Sequence, residues 1–117
     1  ERGKIYSEYF QILIEQLANK AVLVSFEGYE CYLATAPEMF ISDVGNRLAI
    51  LKPPFGMIAN FHTDMISVSL RSDSSIDVSA IARKYGGNGH PQASAFRLNW
   101  GEPLPWTIVG ENEDTGH

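Results

Sequence analysis

Gly86-Gly87-Asn88-Gly89-His90-Pro91 stands between a helical pattern and a strand pattern, and how it is read decides the fold around it. Three glycines and an asparagine in four positions free the backbone to enter positive-φ conformations that other residues avoid. Such a loop can turn its N–H groups toward one point and form a concave nest for anions. His90 adds a ring that donates hydrogen bonds and, when protonated, carries charge. Pro91 suits the first position of a helical turn, where a missing N–H costs nothing. Ala93, Ser94 and Ala95 follow, with little bulk to obstruct a ligand. A phosphate or other oxyanion is therefore expected on Gly86, Gly87, Asn88, Gly89 and His90. A plainer explanation competes: Tyr85-Gly86-Gly87 is a helix stop with glycine in the left-handed capping position.

The helix so ended starts at Asp77, which reads as its N-cap, with Ile76 and Ile81 at staple spacing. Val78, Ile81, Ala82 and Tyr85 form its buried stripe, and Arg83 and Lys84 favour the negative end of its dipole. Before it, Met65 to Arg71 alternates Ile66, Val68 and Leu70 with Ser67, Ser69 and Arg71, the period of two of a half-buried strand. Its other face presents two hydroxyls and a guanidinium, so Ser69 and Arg71 join the candidate site if the glycine loop lies over the strand's end. Met57 to His62 pairs with this strand around Thr63-Asp64. After His90, a short helical turn and then a strand through Phe96, Leu98 and Trp100 are expected. Pro103 and Pro105 leave Trp106 to Val109 at most an edge strand.

Toward the N-terminus, Ile5 to Leu17 reads as an amphipathic helix with Ile5, Tyr9, Ile12, Leu13 and Leu17 on one face and Glu8, Gln11, Glu15 and Asn19 toward water. Ala21 to Phe26 and Tyr29 to Thr35 form a hairpin around Glu27-Gly28. A helix from about Ile41 or Ser42 to Leu51 carries Val44, Leu48 and Leu51, with Ser42 or Asp43 as its cap. Gly45 inside it costs roughly 1 kcal/mol relative to alanine. A close helix contact, an approaching ligand or plain tolerance each account for it. Lys52-Pro53-Pro54-Phe55-Gly56 is a connector between core-like flanks. The pattern predicts an α/β (α+β) fold in one domain, with a mixed central sheet of about five strands and about three helices.

The 117 residues are 44% hydrophobic and 20% charged, which suits one globular domain with one core. A formal net charge of −5 disfavours a general duplex binder. Between Arg71 and Arg97, however, four bases (Arg71, Arg83, Lys84, Arg97) face two acids (Asp73, Asp77), while Glu111, Glu113 and Asp114 belong to a polar, frayed tail. A small anion or a nucleic-acid end fits this balance better than a long duplex. Cys31, the one cysteine, has no internal disulfide partner and reads as a buried strand thiol. With no secretory signal at the start and no apolar run of membrane-spanning length, a cytoplasmic protein without a membrane partner is expected.

Other chemistries are poorly served. His62-Thr63-Asp64 offers one imidazole and one carboxylate, short of the three or four ligands a metal site needs, and reads as a structural turn. No serine has a base and orienter, so a hydrolase triad is unsupported. The P-loop lysine is missing after the glycines, and those glycines end a helix where a dinucleotide fold would open one.

The run from Ser67 to Leu98 resembles the DHH-associated domain, first subtype, which lies C-terminal to the catalytic domain in DHH-family phosphoesterases. That family's pattern is a strand ending Ser-Leu-Arg-Ser, a helix introduced by Asp-Val, four glycines, His-Pro, and Ala-Ala-Gly-Phe. Ser69-Leu70-Arg71-Ser72, Asp77-Val78, Gly86-Gly87, Gly89-His90-Pro91, Ala93 and Phe96 match it. Asn88 replaces a glycine, and Ser94-Ala95 replaces Ala-Gly. The resemblance implies that residues 1–117 are one DHH-associated substrate-binding domain, separated from a larger enzyme. That enzyme's N-terminal DHH domain holds two manganese ions through Asp and His motifs, and none of those motifs occurs here. It further implies that Arg71, Gly87, Gly89 and His90 hold a phosphate or terminal nucleotide in the cleft between lobes. No cofactor is expected on this domain, nor catalysis by this chain alone. The implied partners are a single-stranded oligonucleotide, nucleotide or cyclic dinucleotide, and the DHH domain, with homodimers a further expectation where apolar surface is left bare. Because alanyl-tRNA synthetases carry a similar C-terminal domain, a non-catalytic RNA-binding module is the alternative; His90-Pro91 favours the phosphoesterase type. A small folding or dimerisation module, whose glycines only cap a helix, is a third reading.

Overall fold

A computed structural model describes residues 2–109, with side chains from residue 8 onward; Glu111, Glu113 and Asp114 of the expected tail, and the side chain of Ile5, lie outside what is described. Among the described residues seven strands form one mixed sheet: β1 (Val22–Phe26), β2 (Tyr29–Ala34), β3 (Phe55–Phe61), β4 (Ile66–Ser72), β5 (Asn88–His90), β6 (Ala93–Leu98) and β7 (Trp106–Ile108). Their order is β5-β6-β4-β3-β2-β1-β7, with β2 and β3 parallel and every other pair antiparallel. The parallel pair needs a crossover, which the helix α2 (Ile41–Leu51) supplies. Helices α1 (Arg2–Ala18) and α3 (Val78–Lys84) complete the domain.

The alternation of β4 sorts the two faces. Ile66, Val68 and Leu70 join Phe26, Phe55, Val78, Ile81 and Phe96 in a core under α3. The opposite face carries Val44 and Leu48 of α2, Ile14 and Ala18 of α1, and Ile58 of β3 in a second core. Cys31 is fully buried in β2, and burial pushes its thiol up to about 12.

The structure corrects several expectations in detail. The sheet has seven strands where about five were expected, because the three-residue strands β5 and β7 exist through pairing with β6 and β1. Pro91 opens no helical turn. His90 pairs with Ala93, so Pro91-Gln92 is a two-residue hairpin turn. On α1, Tyr9 and Ile12 are exposed and Ile14 and Ala18 are buried. That helix has apolar residues on overlapping stripes, and contact with α2 selects one. On α2, Leu51 is exposed while Gly45 and Ala49 are buried, and the N-cap is Phe40 without a side-chain bond. Trp100 lies beyond β6 and is exposed.

Candidate nucleotide-binding face

Helix α3 ends as its glycines dictate. Gly86 takes φ +81°, and its N–H donates to the Arg83 carbonyl at 3.1 Å while the Gly87 N–H donates to Ala82 at 2.8 Å. This is the Schellman pattern, which uses loop donors to satisfy helix carbonyls. The Gly89 N–H donates to Asn88 Oδ1 at 2.7 Å. A nest of converging Gly86, Gly87 and Gly89 amides is therefore not what the loop builds, since those donors are already engaged.

What the glycines do build is a flat approach to β6. A Cβ on Gly87 would run into the Ala95 carbonyl and Phe96, and one on Gly89 into Ser94. Lacking side chains there, the chain closes onto β6 and sets Asn88 opposite Ala95 and His90 opposite Ala93. The hairpin turn is anchored from below. Val78 N–H donates to the Pro91 carbonyl at 2.9 Å and Ser72 N–H to Gln92 at 3.0 Å.

Pairing continues across β6 into β4, where Ala93 faces Arg71 and Ala95 faces Ser69. Paired residues of antiparallel strands share a sheet face. Arg71, Ala93 and His90 thus form one row, and Ser69, Ala95 and Asn88 the next. Helix α2 covers β3 and β4 on this face but stops short of β6. Ser69 is buried, whereas Ala95, Asn88 and His90 are exposed.

Arg71 is half-buried between these regions, and burial lowers the pKa of its guanidinium. It donates to Ser42 Oγ from Nε at 3.3 Å and Nη2 at 3.2 Å, and from Nη1 to the Leu70 carbonyl at 2.9 Å. Ser42 therefore orients the arginine and does not cap its own helix. Gly45 is explained by the same residue: a Cβ there would lie 2.6 Å from Arg71 Cγ. Close helix contact accounts for that glycine.

Beside these rows runs a groove of about 570 Å³, lined by Gly86, Gly87 and Asn88 on one side and Glu38 and Ile41 on the other. Asn60, His62, Ser67 and Arg97 also line it, and pattern reading had not singled out Asn60, Ser67 or Arg97 as ligand groups. The signal for Arg97 was present, since it falls in step with Ala93 and Ala95 and alternates with the buried Phe96 and Leu98. His90 also borders a separate hollow with Ser74, Ile76 and Gln92. His62-Thr63-Asp64 forms the β3–β4 turn, closed by His62 N–H to the Met65 carbonyl at 2.8 Å. Among the described residues no group of three or more His, Cys, Asp or Glu is placed to hold a metal ion, and no helix is long and apolar enough to cross a membrane.

No family model matches the chain. Over 80 residues, 68% of its length, the chain is 37% identical to Oligoribonuclease NrnB of Bacillus subtilis (strain 168), and it spans about a fifth (20%) of that protein. The similarity to this DHH-family enzyme fits the DHH-associated domain that the Ser69–Ser72 and Gly86–Pro91 motifs resemble.

Proposed function

We propose that the chain is the substrate-recognition domain, of the first DHH-associated subtype, of a manganese-dependent phosphoesterase acting on short oligonucleotides or cyclic dinucleotides. The observation that carries this reading is the row Arg71–Ala93–His90. Neighbouring strands stand about 4.8 Å apart, so the arginine and histidine backbones are separated by roughly 10 Å. Only a methyl group lies between them, which leaves room for a phosphate that both side chains reach. Each contact is a charge-assisted hydrogen bond, because the accepting phosphate oxygen is ionised. Asn88 adds a neutral amide donor one row along, whereas Ser69 is buried beneath that row, and the glycines keep this side of the loop free of bulk.

In this reading the manganese ions of a separate N-terminal DHH domain supply the hydrolytic chemistry. The present chain binds the phosphate, orients it and offers the open side of its sheet to that domain. The oligoribonuclease similarity supports short single-stranded RNA as the substrate class.

A titration of the isotopically labelled 117-residue chain with a 5′-phosphorylated diribonucleotide tests the proposal. Amide shifts are expected at residues 69–71 and 86–95. Arg71→Ala and His90→Ala should each weaken binding by about tenfold or more, the loss expected for a hydrogen bond to a charged group. Silent amides at residues 86–90, or unchanged affinity in both variants, would overturn it. Tighter binding of a tRNA acceptor stem than of any dinucleotide would replace it with the RNA-binding module.

A further inference from the structure

We infer that the groove holds a second nucleotide position at the end away from Arg71 and His90, formed by Arg97 and His62 with the exposed Phe61–Trp100 pair beside it. This rests on the preceding reading for where the first phosphate sits. Arg97 is paired with Ser67, four residues along β4 from Arg71. At about 3.3 Å per residue the two ends of the face are roughly 13 Å apart. Stacked bases rise about 3.4 Å each, so this length takes about four nucleotides.

Arg97 is exposed and has no ion-pair partner among the described residues. The His62 ring is also exposed and holds Ser67 Oγ through Nε2 at 3.2 Å. Between the two ends the floor is the methyl group of Ala95. Glu38 lines the opposite wall, where it repels phosphate and accepts from base amino groups or ribose hydroxyls. The backbone of a bound strand is thereby directed to the Arg97 side.

Alternation turns Phe61 away from Asn60, so the aromatic pair stands round the end of the sheet, where a strand leaving past His62 meets it. Phe61 and Trp100 are 56% and 54% exposed, with ring centroids 5.8 Å apart. The Trp100 indole N–H donates to the His62 carbonyl at 2.7 Å, which ties the ring to the β3–β4 turn. Fixed aromatic faces next to a cation are the usual platform for unpaired bases. The ligand class is an oligonucleotide longer than a dinucleotide, in single-stranded form.

The test uses the 117-residue chain and 5′-phosphorylated oligouridylates of one to six nucleotides, read by affinity and by tryptophan emission. Trp106 is buried, so quenching reports Trp100. Affinity should rise with length up to about four nucleotides, with Trp100 quenched only by the longer ligands. Arg97→Ala and Trp100→Ala should each remove about tenfold of that gain and leave mononucleotide affinity unchanged, while Trp100→Phe keeps most of it. Length-independent affinity with Trp100 unquenched would overturn the second position and leave the first intact. A length gain lost in Arg97→Ala but indifferent to Arg71→Ala and His90→Ala would instead sink the first phosphate seat. Quenching by protein concentration without nucleic acid would identify the aromatic pair as a self-association surface and overturn the proposal.

Discussion

Gly87 and Gly86 are adjacent and serve different ends. Gly86 needs its left-handed φ of +81° but has nothing within 4 Å of where a Cβ would sit. Gly87 has no unusual φ yet lies against the backbone of β6. Gly86→Ala should therefore cost about 1–2 kcal/mol, the strain of one left-handed residue. Gly87→Ala should cost about 3 kcal/mol, because the blocking atoms are backbone and cannot rotate aside. Urea unfolding of both variants checks the order. The phosphate affinity of Gly87→Ala should also fall, since β5 must lift from β6 and carry His90 with it. Each residue's identity was readable in the sequence as a turn glycine. That one is needed for conformation and the other for contact was not, because the contact is with a strand that comes later in the chain.

At seven residues, α3 is too short to persist alone and depends on what it touches. Asp77 Oδ1 accepts from the Ser79 N–H at 2.9 Å, as the cap pattern predicted. The unforeseen support is Glu27 at the β1–β2 turn, which accepts from Lys84 Nζ at 2.7 Å and from the Tyr85 hydroxyl. Those two hydrogen bonds, Lys84 first, hold the Glu27 carboxyl below its ordinary 4.5. A lowered carboxyl gives stability that is present above 4.5 and lost as pH falls through the lower folded value. Glu27→Gln should lose about 1 kcal/mol at neutral pH and show a flatter acid limb, measured as unfolding midpoint against pH. Tyr85 works in the other direction. Burial first, then Glu27, pushes its hydroxyl from 10.0 up to about 12, so its contribution holds below 10 and fades as pH rises through 12. Local pattern placed both helix ends; the partner 58 residues away came from packing.

Over the molecule as a whole, a net charge of −5 leaves few cations for a ligand, and the sheet face gathers Arg71 and Arg97 on one side. Binding of a short strand should accordingly show a shallow salt dependence. Each single-strand phosphate contact contributes about −0.7 to the slope of log affinity against log salt, so two contacts give about −1.4. Affinities measured across a range of potassium chloride concentrations check this, and a slope several times steeper would mean a broad basic surface. The amino-acid sequence alone determined the strand identity of β4, the hairpin of β1 and β2, the helix starting at Asp77 and the glycine stop after Tyr85. Those signals are periodicities and caps acting over a few residues. Only the tertiary structure decided that β5 is a strand, that Ser42 orients Arg71, that Gly45 makes room for it, and that Arg97 and Asn60 border the same groove. Register and helix docking depend on contacts between segments far apart in the chain, and no local pattern carries that information.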